Sequence, residues 1–317
     1  MQAGIIDVVN NVASGANETT VSPSAQCKCE THTGVKGILP AHSSVSALAL
    51  PVLRQTLVDS LVVGNKKTKS CSKRLPKLKA RTVRDEKINM GHLKDQVGAN
   101  VAELVVVRHG ETTWNAIDRF QGQEESDLTE VGIKQAQAVA NRLAKTANHI
   151  RAVYSSDLRR ASETARRIAD AIGFPNVVEL ASLRERHLGN LQGLTKGEAQ
   201  VVEPEAYRAS VSSDPNEPIP GGGESLNQLN VRTKEALESI ALNHLGQRVI
   251  VVCHGGVLRS LYFHAKGCQA SGKVRNTSIN VFRITASGDW SLRSWGDVNH
   301  LQGTDLLQAS TRGDELR

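Results

Sequence analysis

The pattern of apolar and polar positions changes near residue 100. Residues 1–98 are rich in Ser, Thr, Asn, Gly and Lys and contain one short apolar patch, from Val45 to Val63, without sustained periodicity. Beyond residue 100, unbroken β-branched runs alternate with segments whose apolar positions recur every three or four residues. The pattern predicts a disordered extension over 1–98, a folded domain over 99–305 and a flexible tail over 306–317.

Two runs of consecutive apolar residues, Leu104–Val107 and Val249–Val252, predict strands that are buried on both faces. Three further runs predict a short strand and a hairpin: 152–154, 279–284 and 290–295. These strands would belong to a mainly parallel sheet that is covered on both faces.

Helices are predicted between the strands because the apolar positions there follow a period of 3.6 residues. Thr129 and Asp157 stand where the first two helices begin and can cap them, and Ser225 with Gln228 forms a capping-box pattern for the third. Strands that alternate with helices imply a sheet with helices on both faces. We therefore expect an α/β fold of three α/β/α layers with a mainly parallel central sheet.

The composition narrows the functional classes. The net charge is +7, but residues 1–100 hold 14 Lys and Arg against 7 Asp and Glu, so the rest of the chain is neutral. The basic run 66–81 has no interleaved aromatic residues to stack on bases, so nucleic-acid binding is not expected. The five cysteines lack disulfide or zinc spacing, which favours a reducing compartment. No apolar stretch approaches the roughly 20 residues that span a bilayer, so no membrane association is expected.

The N-terminal extension bears on localisation. It is Ser-rich and basic, as transit peptides are, but Asp7 and Glu18 come early and no arginine precedes Arg54. We expect a cytoplasmic protein, with plastid targeting as the alternative.

Candidate chemistry is expected where the two buried strands end. The segments VVVRHG (105–110) and VIVVCHGG (249–256) both pass from β-branched residues into His-Gly, at His109 and His254. In open α/β sheets ligands bind outside the carboxyl ends of the strands, so both imidazoles should face one cleft. The glycines that follow would let the backbone turn sharply and let a ligand approach closely.

His109 could act as a metal ligand, a general base or a nucleophile. No HxxxH or HxH spacing supplies a second metal ligand, and no GxSxG segment supplies a serine nucleophile. Arg108, and Arg160 in the first turn of the second predicted helix, favour an anion such as a phosphoryl group. Glu185, in the glycine-punctuated loop 183–193, could be an ordinary ion-pairing residue or the acid that protonates a leaving alcohol.

Seven segments in this order resemble the histidine phosphatase superfamily and, within it, the phosphoglycerate mutase-like proteins of plants. The resemblance covers about residues 100–305 and leaves 1–98 outside it. The segments are RHGETTWN (108–115), FQG (120–122), SSDLRRASETA (155–165), LRERHLGNLQG (183–193), IPGGGESL (219–226), VVCHGGVLRSL (251–261) and NTSINVFRI (276–284).

The resemblance implies a role for each matching residue. His109 matches the phosphorylated nucleophile, Glu185 the proton donor and acceptor, and His254 the residue that stabilises charge on the transferring phosphoryl group. Phosphate or substrate contacts are implied for nine further positions: Arg108, Asn115, Gln121, Gly122, Arg160, Arg186, His187, Lys196 and Gly255. No metal or nucleotide cofactor is implied.

The resemblance also implies an activity, the hydrolysis of small phosphomonoesters such as sugar phosphates through a phosphohistidine. A cofactor-dependent phosphoglycerate mutase is the alternative, because segment 184–196 resembles the mutases themselves. Only about 35 residues separate Glu185 from Gly221, whereas those mutases carry a longer insertion there. The shorter connection favours the phosphatase. A non-enzymatic protein that binds phosphorylated metabolites is a second alternative, although all the core positions carry the residues that the motif requires.

Overall fold

The computed structural model describes residues 96–310, so the predicted disorder of residues 1–95 and the character of 311–317 lie outside the described residues. One sheet of six strands forms the centre of this region, in the spatial order β3-β2-β4-β1-β5-β6. The strands are β1 (Val101–Arg108), β2 (Ile150–Ser155), β3 (Val178–Glu179), β4 (Arg248–Cys253), β5 (Ile279–Thr285) and β6 (Trp290–Asp297).

The sheet is mixed, with its parallel part where the sequence predicts it. The strands β3, β2, β4 and β1 pair in parallel, whereas β5 pairs antiparallel with β1 and β6 antiparallel with β5. The last two strands are the predicted hairpin. The α/β class with a mainly parallel sheet is therefore confirmed.

Helices cover both faces of the sheet. They are α1 (Thr113–Ala116), α2 (Glu130–Ala144), α3 (Arg159–Ile172), α4 (Lys196–Val202), α5 (Pro204–Ser210), α6 (Leu226–Leu242), α7 (Gly255–Lys266) and α8 (Leu306–Ala309). Val105 and Val107 of β1 pack with α2 and α3, while Leu104 and Val106 pack with α6 and α7. Successive strand residues point to opposite faces, so one apolar run builds both halves of the core. Among residues 96–310, no helix is both long and apolar enough to cross a membrane.

The helix starts agree with the capping patterns at two of three places. Thr129 accepts a hydrogen bond from Gly132 N at the start of α2, and Ser225 and Gln228 form the expected capping box at the start of α6. The prediction that Asp157 caps α3 is wrong. Leu158 precedes that helix without a side-chain cap. The Asp157 carboxylate instead accepts two hydrogen bonds from Arg184, at 2.6 and 2.7 Å, because a charged fork is a stronger donor than a backbone amide.

A buried ion cluster crosses the sheet at the end opposite to the predicted cleft. Glu103 of β1 is fully buried and accepts from Arg248 Nε of β4 at 2.5 Å and from Arg283 Nε of β5 at 2.7 Å. Glu103 and Arg248 are register partners in the β1–β4 pair. A buried carboxylate without partners would be costly, so the cluster favours one alignment of the three strands.

The folded region extends slightly beyond the predicted domain end. Residues 306–309, which the sequence assigns to the tail, form α8, and Leu306 O accepts a hydrogen bond from Gln135 Nε2 of α2. Ser310 O accepts one from Asn276 N. These contacts tie the segment to α2 and to the loop before β5.

Candidate active site

The parallel pairing of β1 with β4 brings the two strand-end histidines together. Arg108 and Cys253 are the last register partners of the pair, and His109 N then donates to Cys253 O at 3.0 Å. His109 and His254 consequently lie side by side, with ring centroids 5.2 Å apart, and both are buried. The two imidazoles share one site at the carboxyl edge of the sheet.

A backbone contact determines which nitrogen of His109 is reactive. His109 Nδ1 lies 2.7 Å from Gly110 O. A carbonyl oxygen can only accept, so Nδ1 carries the proton and Nε2 keeps a free electron pair. The far ring nitrogen is the one available for attack on an electrophile.

Burial and nearby cations keep both imidazoles neutral. Desolvation lowers the pKa of His109 well below 6.5, and the positive charges of Arg160 and Arg108 lower it further. The pKa of His254 is lowered by desolvation first and then by Arg160 and His109. A neutral imidazole is the nucleophilic form, so the environment favours covalent chemistry at His109.

Two buried arginines supply positive charge around the histidines. Arg160 of α3 donates from Nη2 to Gly122 O at 2.7 Å and from Nη1 to Glu124 O at 2.8 Å. Desolvation lowers the pKa of Arg160 to about 10, which leaves it protonated at neutral pH. Arg108 donates from Nη1 to Val274 O. Buried guanidiniums of fixed orientation suit the paired oxygens of a phosphoryl group.

Asn115 adds a donor to the same site. Its Oδ1 accepts hydrogen bonds from Thr112 N at 3.2 Å and from Asn276 Nδ2 at 3.4 Å. Its Nδ2 is buried and has no hydrogen-bond partner among the described residues. The same holds for both ring nitrogens of His254. Buried polar atoms without partners are uncommon, and an anionic ligand would accept hydrogen bonds from Asn115 Nδ2 and from the protonated ring nitrogen of His254.

The carboxylate of Glu185 faces the first turn of α7. Its Oε2 accepts from Gly256 N at 2.8 Å and its Oε1 from Arg186 N at 2.7 Å. A side chain added at Gly256 would meet Glu185 Oε1 at 2.3 Å, so glycine is needed for this approach. Because His254 immediately precedes α7, the acid and the second histidine are held by the same turn.

The predicted substrate contacts differ in how closely the structure links them to the site. Gly122 O accepts a hydrogen bond from Arg160 Nη2, and Gln121 Oε1 accepts one from Thr112 Oγ1 at 3.1 Å. Arg186 is buried beside Glu185, His187 follows it, and Gly255 begins α7 behind His254. Lys196 is exposed at the start of α4, and no hydrogen bond or ion pair joins it to another predicted site residue within 96–310.

One detail of the predicted site is wrong. Gly110 does not make room for a ligand: a side chain there would lie 2.5 Å from Gly132 O, so glycine is required by the packing of β1 on α2. At the start of α3, Arg159 N donates to the Glu125 carboxylate at 3.0 Å. Both contacts join residues distant in sequence, and no local pattern identifies them.

Three residues of the site lie outside the predicted set. Asn276 bonds to His109 O at 3.1 Å as well as to Asn115, while Glu224 and Arg232 pair beside the loop of Glu185. Asn276 and Glu224 stand in quoted segments, and Arg232 follows segment 219–226 by six positions. Their partners are distant in sequence, and nothing local indicates the contacts.

Comparison with known proteins places this geometry in a family. The family model for the histidine phosphatase superfamily, branch 1, matches residues 104–298. The chain belongs to the histidine phosphatase superfamily. The matched range contains both histidines, Arg108, Arg160 and Glu185, and thus every core position of the site.

Individual relatives of this histidine phosphatase carry two kinds of name. It is 52% identical over 219 residues to a metal-independent phosphoserine phosphatase of Arabidopsis thaliana, covering 69% of this chain and 91% of the relative. It is 48% identical over 221 residues to phosphoglycerate mutase-like protein 4 of the same plant, covering 69% and 96%. Among solved structures, phosphoserine phosphatase from Entamoeba histolytica in complex with 3-phosphoglyceric acid matches with TM-score 0.55 and 26% identity, covering 63% and 99%.

Proposed function

We propose that this histidine phosphatase hydrolyses small phosphomonoesters through a phosphohistidine at His109, with phosphoserine as its substrate. The observation that carries the proposal is the hydrogen bond from His109 Nδ1 to Gly110 O, which leaves Nε2 as a neutral nucleophile under the influence of two buried arginines. A phosphoryl dianion would be held by Arg108, Arg160 and Asn115.

In the first step, His109 Nε2 attacks phosphorus and the bond from phosphorus to the ester oxygen breaks. The leaving oxygen takes the proton of Glu185, so the alcohol departs neutral. His254, 5.2 Å from His109 between ring centroids, contacts the transferring group and stabilises its charge. Arg108 and Arg160 are fixed before the reaction, so they need no reorganisation as charge moves on the equatorial oxygens.

In the second step, water attacks phosphorus and the nitrogen–phosphorus bond breaks. The Glu185 carboxylate accepts the water proton, which returns the acid to its starting form. Inorganic phosphate leaves and His109 is again neutral. Glu185 donates a proton in the first step and accepts one in the second, so the cycle needs no further cofactor.

The substrate is inferred from the named relatives and from the surroundings of the acid. Two of the three relatives above are phosphoserine phosphatases. Arg186 is buried next to Glu185 and donates a hydrogen bond from Nε to Glu224 O at 2.9 Å. We infer that the planar guanidinium of Arg186 binds the carboxylate of phosphoserine.

The test measures phosphate release from phosphoserine, 3-phosphoglycerate and a panel of sugar phosphates, with wild type and His109→Gln. Wild type should prefer phosphoserine, and the variant should lose at least about 1,000-fold in kcat because the nucleophile is gone. Quenching wild type during turnover with an alkaline denaturant, which preserves the acid-labile nitrogen–phosphorus bond, should yield a phosphorylated His109, detected by mass spectrometry. Undiminished turnover by the variant would exclude the histidine mechanism.

The mutase alternative is tested with 3-phosphoglycerate and 2,3-bisphosphoglycerate. The segment between Glu185 and Gly221 folds as α4 and α5 on a small apolar cluster built around Leu191, Ala206 and Ile219. Because this segment is short, water should compete with phosphoglycerate for the phosphoryl group on His109. Formation of 2-phosphoglycerate faster than phosphate release would establish a mutase instead.

A further inference from the structure

Glu224 and Arg232 form an ion pair behind the loop that carries Glu185. Arg232 of α6 donates from Nε to Glu224 Oε1 at 2.8 Å and from Nη2 to Oε2 at 2.7 Å. The side chains are only 22% and 19% exposed. A two-point arginine–carboxylate pair has a fixed geometry, so it can support other groups.

Arg232 uses its remaining donors on the main chain that leads to the acid. Nη1 donates to Ser182 O and to Arg184 O, both at 2.9 Å, and Nη2 donates to Glu185 O at 3.3 Å. One guanidinium thus holds three carbonyl groups within four consecutive residues. The loop around Glu185 has only short 3₁₀ turns, at 181–183 and 189–191, and no strand ladder to hold it.

Glu224 holds the other side of the same loop. Its Oε2 accepts from His187 N at 2.9 Å, its main-chain N donates to His187 O at 2.8 Å, and its main-chain O accepts from Arg186 Nε at 2.9 Å. The backbone before and after Glu185 is therefore tied to one ion pair. The orientation of the Glu185 carboxylate, which faces Gly256 N, depends on that backbone.

We propose that Glu224 and Arg232 are positioning residues for Glu185, setting the place from which it gives its proton to the leaving alcohol. The inference rests on the proposed function. A displacement of about 1 Å in a catalytic group can cost on the order of 100-fold in rate. Arg160, one of the two arginines proposed to hold the phosphoryl group, donates to Gly122 O and Glu124 O, which belong to a different loop.

The test compares two substrates that differ in their need for a proton. The alcohol of phosphoserine is a poor leaving group without protonation, whereas p-nitrophenolate departs as an anion. In Arg232→Gln, kcat/KM for phosphoserine should fall roughly 10- to 100-fold, while kcat/KM for p-nitrophenyl phosphate should fall less than about 3-fold. The ratio kcat/KM is used because it includes steps only up to formation of the phosphohistidine.

Two variants serve as references. Glu185→Gln should show the same bias between substrates, and adding Arg232→Gln to it should change little, because both act on one proton transfer. Lys234→Gln removes a cation of the same helix that pairs with Glu238 at 3.2 Å, and it should leave both kcat/KM values unchanged.

Equal losses with both substrates would mean that the pair only supports the fold, and no loss with either would mean that the loop holds its own shape. Each result overturns the inference. Failure of the wild type to hydrolyse either substrate would instead contradict the proposed function, which keeps the two failures distinct.

Discussion

At the scale of single residues, the side chain of Asn276, in the loop before β5, influences the orientation of the Asn115 side-chain amide in the proposed phosphate site. Asn276 Nδ2 and Thr112 N both donate to Asn115 Oδ1, and Asn115 Nδ2 is left buried without a hydrogen-bond partner among residues 96–310. An asparagine can turn its oxygen or its nitrogen toward an anion, and only the nitrogen attracts it. Asn276 therefore acts together with Thr112 N to favour the orientation in which Asn115 presents its nitrogen to phosphate.

The variant Asn276→Asp tests this control. It replaces the donor with a carboxylate oxygen opposite His109 O and Asn115 Oδ1, so the Asn115 amide should turn around. The KM for phosphoserine and the inhibition constant of inorganic phosphate should both rise on the order of 10-fold, the loss of about 1.4 kcal/mol.

Asn280→Asp is the matched control. Asn280 is equally buried and donates from Nδ2 to Val106 O at 3.2 Å, but it has no bond to Asn115. It should lose stability to a similar degree while keeping its affinity for inorganic phosphate. Parallel weakening of phosphate binding in both variants would assign the effect to general damage.

At the scale of elements, the end of β1 is pressed against the start of α2. The added side chain in Gly110→Ala would lie 2.5 Å from Gly132 O, which belongs to the backbone and cannot rotate away. We expect a loss of about 1–3 kcal/mol in the free energy of unfolding, measured by urea titration. Activity should fall as well, because Gly110 O is the acceptor that orients His109.

A second glycine provides the comparison for that change. Gly197 in α4 has nothing within 4 Å of an added side chain, so Gly197→Ala should be neutral or stabilising by about 0.5–1 kcal/mol. Destabilisation of both variants to the same extent would show that the contact with α2 is not the cause.

The elements also show which parts of the site a sequence can predict. The strands ending at His109 and His254 are evident from local pattern, because burial on both faces demands unbroken β-branched runs. The carboxyl-edge rule then brings their ends together. The sequence indicates Asp157 equally clearly as a helix cap, yet its carboxylate accepts a hydrogen bond from Arg184, 27 positions away. The contacts of Asn276 and Arg232 span 161 and about 50 positions, and charge or amide identity alone does not select such partners.

At the scale of the whole molecule, buried histidines make stability depend on pH. Besides His109 and His254, burial and then Arg142 lower the pKa of His300 to about 4. In the unfolded chain each histidine titrates near 6.5. Below that pH the unfolded state takes up protons that the folded state does not, so the free energy of unfolding falls as the pH drops from 6.5 toward the folded pKa.

The variant His300→Gln isolates one share of this dependence. Between pH 7.5 and 5.0, His300 should account for on the order of 2 kcal/mol of the stability lost by the wild type, and the variant should lack that loss. Urea titrations of both proteins at the two pH values give the difference. An unchanged pH dependence in the variant would show that His300 titrates near its ordinary value.

The cluster of Glu103, Arg248 and Arg283 has a consequence for how the gene can change. Glu103 and Arg248 are opposite each other, and His109 and His254 each follow six positions later, about 20 Å along the strands. Substitutions within 103–109 or 248–254 preserve the spacing between the ion cluster and the histidines. The insertion or deletion of one codon in only one of these two segments shifts one imidazole along the strands relative to the other. The two six-residue spans should therefore accept length changes only in matched pairs, which a deletion scan with an activity screen can examine.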